Sequence, residues 1–469
     1  MDINIYTGSL TYKDIEFTFV FDKNELRLVP SADKKQEVER WFYKSLGGVA
    51  YTFGDPIYID KPIFSDKCNE CCQISFIPAY HRPLGRINSV IIIDIQAYIV
   101  YNSKGNGIKK MSFECPEINS IYSTRQAIET KRNADGNFEL KTLKFDSTNA
   151  KKQIFNVDGK DVEVYFDIIQ ITTHDTTKPP LSLQSCLMFK FEPTEDLNFI
   201  YRLHQIAICF IEYICYRKDI SFEKISIYTE ADDANKTTYD NGKFNMVGNK
   251  PAVDEESVKQ GRCIKHHYIK NSESAILNAI VDNTLYIRHL PETRKNTQIN
   301  AARFVMITAA FEWEFKKLYP NGVRKKDATI KAEEKASEVL TTLIDESSGK
   351  LKNLYKSLLK NGIGFTPLQS KLIQVGKDLD SIIAPFGKYL YSINNKDLVY
   401  SKMGERLSKQ RNHYAHGDLD EDFIGDSLLD LIFLERILYA MQLKRFGVCD
   451  KNIKHSINEL FHCNFAIDD

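Results

Sequence analysis

No stretch of the 469 residues approaches the ~18 consecutive apolar positions of a membrane-spanning helix, so no spanning segment is expected. A surplus of either charge is also missing: 63 Lys and Arg stand against 63 Asp and Glu, a formal net charge of +0. A protein that coats nucleic acid over its whole surface carries a basic excess. That class is excluded, and any nucleic-acid contact is confined to a local patch. The opening Met1-Asp2-Ile3-Asn4 lacks the charged-then-apolar layout of a secretory signal, and a cytoplasmic protein is expected. The ten cysteines are accordingly read as reduced thiols rather than a disulfide framework. Cys209 and Cys215 sit in apolar runs, where a thiol serves as a small hydrophobe. A phosphate-binding glycine loop, an H-E-x-x-H pair and a Ser-His-Asp arrangement with a local signature are all missing, as are internal repeats and low-complexity tracts.

What remains is globular composition, 43% hydrophobic and 27% charged, in a chain long enough for two domains. The first half reads as strands. Ile15, Phe17, Phe19 and Phe21 alternate with Glu16, Thr18 and Val20, and Ile93, Ile95, Ala97 and Ile99 alternate with Asp94, Gln96 and Tyr98. Asp158-Gly159 between Gln153–Val157 and Val162–Phe166 is a hairpin signal, with further turns at Gly105-Asn106-Gly107 and Asp135-Gly136. One helix interrupts the strands: Phe199, Leu203, Ile206, Phe210 and Ile214 recur at helical spacing and run out at Arg217-Lys218. A last strand covers Ile225–Tyr228. These elements predict an antiparallel β-rich domain over 1–229, a sandwich or open barrel. The polar window 230–265 predicts a linker or polar loop region.

From 266 to 469 the pattern is helical, so the fold class expected is α+β. Phe304, Ile307, Phe311, Phe315 and Leu318 form a stripe that stops at Pro320-Asn321-Gly322. Thr329 to Leu343 favours a second helix; Pro367 opens another through Ile383, which Pro385 is expected to break. A basic helix from Val399 ends at Gly417. The segment Ser427 to Phe446 is the most hydrophobic helix, with Leu428, Leu431, Leu434, Leu438 and Met441 on one stripe and Leu429, Ile432 and Ile437 outside it. Burial on two sides, inside a bundle or at a subunit contact, is the expectation.

The chemistry concentrates in Arg411-Asn412-His413-Tyr414-Ala415-His416. A five-residue step on a straight helix turns by roughly 140°, so Arg411 and His416 converge only if the helix ends between them, and Gly417 is a helix-ending residue. Cleavage of RNA needs a base for the 2′-OH proton, an acid for the leaving 5′-oxygen and a cation for the phosphorane charge. Histidine suits proton transfer near neutral pH, and arginine offers a permanently charged fork to phosphate oxygens. One His and one Arg make half of such a set, and a twofold dimer supplies the rest. Lys402, Arg406 and Lys409 extend a basic stretch against Glu405, a candidate phosphate surface. Asn412 is placed to orient the Arg or a phosphate, and His413 and Tyr414 to stack on a base. On spacing alone, the competing reading is a solvated helix face with a capping histidine.

The run 411–417 resembles the R-x4-6-H signature of HEPN domains, with the Arg-polar start and Ala-His-Gly end of ApeA-like members. Arg303-Phe304-Val305 through Ala310-Phe311-Glu312 is similar to the opening helix of that group, which carries an acidic residue at the place of Glu312. Arg445-Phe446-Gly447-Val448 resembles the end of its last long helix, and Asp196–Tyr228 the close of its N-terminal domain. The resemblance implies a metal-independent ribonuclease without cofactor, acting as a homodimer on host RNA such as tRNA in bacterial antiphage defence by abortive infection. The N-terminal domain would sense infection, through a phage-encoded trigger, or restrain the nuclease. Arg411 and His416 become the catalytic pair, with Asn412, His413 and Glu312 in support and Lys402, Arg406, Lys409 and Tyr414 binding RNA. The alternative is a non-catalytic module that binds RNA or a nucleotide, or only dimerises.

Other clusters point less sharply. Cys68, Cys71 and Cys72 lack a second pair at zinc spacing, although His81 or Cys115 can approach in space. His266-His267 follows Arg262, Cys263 and Lys265 and reads as a solvated entry to the second domain. Arg324-Lys325-Lys326 reads as a solvated helix start, with contact to RNA backbone as the other option. No metal is expected.

Overall fold

Wherever apolar residues alternate in the first half, the backbone is extended and one face is buried. The computed structural model describes the chain except residues 1–4, 46–56, 60, 104–105, 133–134, 144–151, 178, 231–240, 249–257, 259, 294–297, 364–365, 418–422 and 468–469. The strands are β1 (Tyr6–Tyr12), β2 (Ile15–Asp22), β3 (Glu25–Pro30), β4 (Ile63–Phe64), β5 (Lys67–Cys68), β6 (Gln73–Pro78), β7 (Gly85–Ile87) and β8 (Val90–Tyr101). They continue as β9 (Asn106–Glu114), β10 (Ile128–Arg132), β11 (Phe138–Thr142), β12 (Gln153–Val157), β13 (Lys160–Thr172), β14 (Leu181–Thr194), β15 (Lys224–Glu230) and β16 (Gly242–Met246). Helices α1 (Lys35–Ser45), α2 (Pro116–Ile121) and α3 (Leu197–Cys215) lie among them. Then follow α4 (His266–Ile269), α5 (Glu273–Val281), α6 (Ala301–Leu318), α7 (Asp327–Glu346), α8 (Gly349–Gly362), α9 (Leu368–Asp378), α10 (Asp380–Ser392), α11 (Tyr400–Ala415), α12 (Ser427–Arg445) and α13 (Asp450–Leu460). The class is α+β. No helix of the described residues is long and apolar enough to cross a membrane.

The chain forms two units: a β-rich one, Met1–Gly261 with Glu273–Val281, and a helical one, Arg262–Ser272 with Asp282–Asp469. In the β-rich unit one main sheet runs β12-β13-β14-β9-β15-β16-β8-β3-β2-β1-β5. β8 is its branch point: up to Asp94 it pairs with β3 and β7, and from Ile95 onward with β6 and β16, all antiparallel. Its Ile91, Ile93, Ile95, Ala97 and Ile99 are buried, as the alternation requires. On β2 the buried set is Ile15, Phe17, Phe19 and Phe21, and Phe19 and Phe21 meet Phe76 of β6 edge-on at 5.6 and 5.0 Å between centroids. The turn between β12 and β13 is Asp158-Gly159 with φ of 53° and 81°, left-handed at both positions. Gly105 lies outside the described residues. α3 is capped by Asp196, whose carboxylate accepts from the amides of Asn198 and Phe199, and lays Phe199 on Phe191 of β14.

Three expectations are corrected. The window 230–265 is not simply a linker, because Gly242–Met246 is a strand inserted between β15 and β8. Backbone pairing and one buried side chain, Phe244, hold it, so composition gives little sign of it. Gly242 is required there: a Cβ would lie 2.3 Å from the Val100 carbonyl oxygen. The first half also holds α1 and α2 besides the one helix expected. Pro385 does not break its helix either. The break falls at Leu379, and Pro385 sits in the second turn of α10. The carbonyl it leaves without an N–H belongs to exposed Ser381, while Ile382, Ile383, Phe386, Leu390 and Tyr391 bury the helix's other side.

In the helical unit, α12 packs against α6, α10, α11 and α13, and most of its residues are buried. Enclosure inside the bundle therefore accounts for its broad apolar arc. Two arginine pairs fasten α12 to α6: Arg303 Nη2 reaches Glu435 Oε1 at 2.8 Å, and the Arg445 guanidinium grips buried Glu314 with both its Nε and Nη2.

Candidate active site

Helix α11 forms because Met403, Leu407 and Gln410 recur on one side and are wholly buried, together with Gly404. At Gly404 a Cβ would stand 2.4 Å from the Gln369 Cα, so α11 and α9 approach backbone to backbone. Gln410 then secures the chain beyond the motif, its Oε1 accepting from the Ile424 amide at 2.6 Å and the Ser427 hydroxyl at 3.1 Å.

That packing brings three charges together from three helices. Arg411 Nη1 of α11 donates to Glu312 Oε2 of α6 at 3.0 Å, and Lys371 Nζ of α9 donates to Glu312 Oε1 at 3.1 Å. Burial works against charge on the Glu312 carboxylate, but hydrogen bonds and attraction from Lys371 and Arg411 outweigh it and hold the acid below its ordinary range. One carboxylate between two cations leaves a local positive excess. Lys371 is 13% exposed and Arg411 36%, so the guanidinium is the part of the cluster open to an anion. Lys371 carried no sequence signal, since a lone lysine 40 residues upstream shows no relation to Arg411 until the helices pack.

His416 does not join this cluster. The helix continues to Ala415, and His416 still has φ −90° and ψ 0°; the left-handed turn, φ 90°, comes one residue later at Gly417. A five-residue step over that backbone separates Arg411 and His416 by roughly 140°. The expected convergence within one chain is not produced. His416 instead shares an exposed stripe with Lys402, Glu405, Lys409 and Asn412, at steps of three, four or seven residues. Two of the expected RNA-binding lysines thus lie on the face that carries the imidazole.

Arg406 and Tyr414 lie elsewhere. Arg406 clasps the wholly buried carboxylate of Asp430 with two bonds of 2.7 Å, and Tyr391 donates to the same Asp430. Tyr414 is half-buried, its ring 5.5 Å from Phe304 and 6.4 Å from Phe423. At these two positions the fork already holds a carboxylate and the ring is already faced by two others. His413 is half-buried, one helical turn beyond the buried Gln410.

Cys71 Sγ lies 3.1 Å from Cys68 Sγ, and burial, then the Cys68 neighbour, pushes the Cys71 thiol up to about 12. Cys115 is buried at the start of α2. Among the described residues no group of three or more His, Cys, Asp or Glu is arranged to hold a metal. Tyr268, beside His266-His267, stacks on His455 and donates to Glu459 at 2.8 Å, fixing α4 to α13. Arg324 and Lys325 pair with Asp378 and Glu333. In the β-rich unit a cavity of about 520 Å³ lies among His204, Gln205, Phe222, Lys243, Phe244 and Met246. Comparison with protein-family models, curated proteins and solved structures finds no match for the chain.

Proposed function

We propose that the helical unit is a metal-independent endoribonuclease of the HEPN type, acting as a homodimer in bacterial antiphage defence by abortive infection. Its substrate is host RNA such as tRNA, and the β-rich unit answers to a phage-encoded trigger. The observation that carries the nuclease reading is the Arg411–Glu312–Lys371 cluster at the same helix end as an exposed His416. Glu312 keeps the guanidinium in place while leaving net positive charge for a phosphate. His416 stands in solvent on the stripe that carries Asn412, Lys409 and, roughly 21 Å further along the helix axis, Lys402, where a ribose–phosphate backbone can reach it.

The chemistry follows. The ribose 2′-oxygen attacks the adjacent phosphorus as an imidazole removes its proton. The P–O5′ bond then breaks, and an imidazolium protonates the departing 5′-oxygen. The products are a 2′,3′-cyclic phosphate end and a 5′-hydroxyl end. Arg411 neutralises charge on the phosphorane oxygens. One chain contributes one His416 and one Arg411 on different sides of α11, so two copies are needed for a base, an acid and cations around one phosphate.

The test is cleavage of an RNA pool by the triggered protein with EDTA present. Wild type should cut with unchanged rate, and Arg411→Ala and His416→Ala should each lower cleavage by at least ~10²-fold, the usual scale for a proton-transfer or charge-stabilising group, with unchanged folding. Cleavage retained by both variants would overturn the nuclease reading. The Glu312 pairing of Arg411 equally serves a module that only binds RNA or a nucleotide, and that outcome would favour it.

A further inference from the structure

The turn between β5 and β6 brings two thiols into contact. Cys68 ends β5, Gln73 begins β6, and between them Cys71 Sγ lies 3.1 Å from Cys68 Sγ. Strands on either side fasten this turn. The Asn69 amide donates to the Thr7 carbonyl oxygen of β1 at 2.9 Å, and the Asn69 side chain donates to Thr7 Oγ1 at 2.8 Å. Glu70 accepts from the Thr7 amide and hydroxyl at 2.8 and 2.9 Å. Beyond the pair, the Cys72 amide donates to the Tyr101 carbonyl oxygen of β8 at 3.1 Å. The backbone is thus tied between and after the two cysteines, and the fold itself holds the sulfurs at close quarters.

Access points the same way. Cys68 and Cys71 are half-buried and their neighbour Cys72 is exposed, whereas Cys115, Cys186, Cys215 and Cys263 are buried. A small polar oxidant reaches this turn before it reaches those core thiols. A disulfide bond is about 2 Å long, so a closing movement of roughly 1 Å joins the two sulfurs. The thiols also have an order. Cys71 donates to Cys68 Sγ, and Cys68 donates to Glu70 Oε2 at 3.5 Å. Burial and the nearby Cys68 keep the Cys71 thiol protonated at neutral pH, so the first attack falls to Cys68 and the second to Cys71.

We propose that Cys68 and Cys71 form a redox site, which a peroxide converts reversibly to a disulfide that staples the β5–β6 turn. With hydrogen peroxide, the Cys68 sulfur attacks one oxygen, the O–O bond breaks, and a sulfenic acid and one water result. The Cys71 sulfur then attacks Cys68, the S–O bond breaks, and the departing hydroxide takes up the Cys71 proton as a second water. Two electrons pass from the sulfurs to the peroxide, and a dithiol reductant restores them. The test treats the reduced full chain with hydrogen peroxide and maps its thiols by alkylation and mass spectrometry. A Cys68–Cys71 link, lighter by two hydrogens, should form before the exposed Cys449 is modified, and dithiothreitol should remove it. Cys72→Ser should keep the link, and Cys68→Ser and Cys71→Ser should each abolish it. The wild-type map stands by itself if a variant fails to fold. Amide exchange from Asn69 to Gln73 should slow several-fold in the oxidised chain, and unchanged exchange would overturn the stapling. A link through Cys72, a sulfinic acid at Cys68 with Cys71 still free, or a link that forms only after urea is added would each overturn the proposal. So would modification of Cys449 ahead of the pair. None of these readouts depends on RNA cleavage, so the redox site and the nuclease reading fail separately.

Discussion

Arg406 and Arg411 are five residues apart on α11, and the fold uses them differently. Arg406 neutralises Asp430, whose side chain is wholly buried, so Arg406→Ala strands a carboxylate and should cost about 3–5 kcal/mol. Urea unfolding of the variant checks this; a loss below ~1 kcal/mol, the scale of an exposed pair, would contradict it. Lys402 and Lys409 are exposed on the same helix stripe as His416, and replacing either with Ala should leave stability unchanged while reducing RNA affinity and lowering the salt slope by about one ion each. Glu312 adds a pH signature. Its folded pKa is depressed, so its pairs stabilise the native state above the ordinary glutamate range, and that contribution is lost as pH falls through the depressed value. The stability gap between wild type and Glu312→Gln should therefore be present at neutral pH and close on acidification. At this scale the sequence exposed the motif and, through the family resemblance, Glu312, but not Lys371, which lies 40 residues from Arg411 and is related to it only by packing.

Among the elements, legibility followed burial on a single face. β2 and β8 bury every second residue, so their period shows in the sequence, whereas β16 buries Phe244 and is otherwise specified by the backbone of its neighbours. That difference predicts where a small substitution matters. Gly242→Ala puts a methyl 2.3 Å from the Val100 carbonyl oxygen, so β16 must move away from β8. A loss of about 1–3 kcal/mol is expected from such overpacking, with faster amide exchange in β15 and β16. Substitution of Lys243, exposed one residue later, should change neither. α10 shows the reverse failure. Pro385 is a strong local signal for a break, but the burial of Ile382, Ile383, Phe386 and Leu390 around it outweighs one missing N–H. Helix ends at Pro320-Asn321-Gly322 and Gly417 were readable because Gly322 and Gly417 take φ of 71° and 90°, which few other residues adopt.

For the molecule as a whole, chain order and unit membership do not coincide. After Gly261 the chain enters the helical unit for Arg262–Ser272, returns to the β-rich unit for Glu273–Val281, and leaves again at Asp282. Helix α5 belongs to the β-rich unit through specific bonds as well as packing. The Asn156 amide donates to Asn278 Oδ1 at 3.0 Å, the Ser274 hydroxyl donates to Gln153 Oε1 at 2.9 Å, and Ile276 and Leu277 are fully buried. A composition-based cut in the polar window therefore removes a piece of one core and attaches it to the other fragment. A fragment 1–261 should expose the surface that α5 covers, and burying two aliphatic side chains is worth about 1.5–3 kcal/mol each. A fragment 1–281 keeps α5 at the end of an extra eleven-residue excursion and should melt higher. Thermal unfolding of the two fragments side by side measures the difference. Equal melting temperatures would mean that α5 contributes nothing to the β-rich core, and would return the boundary to the polar window.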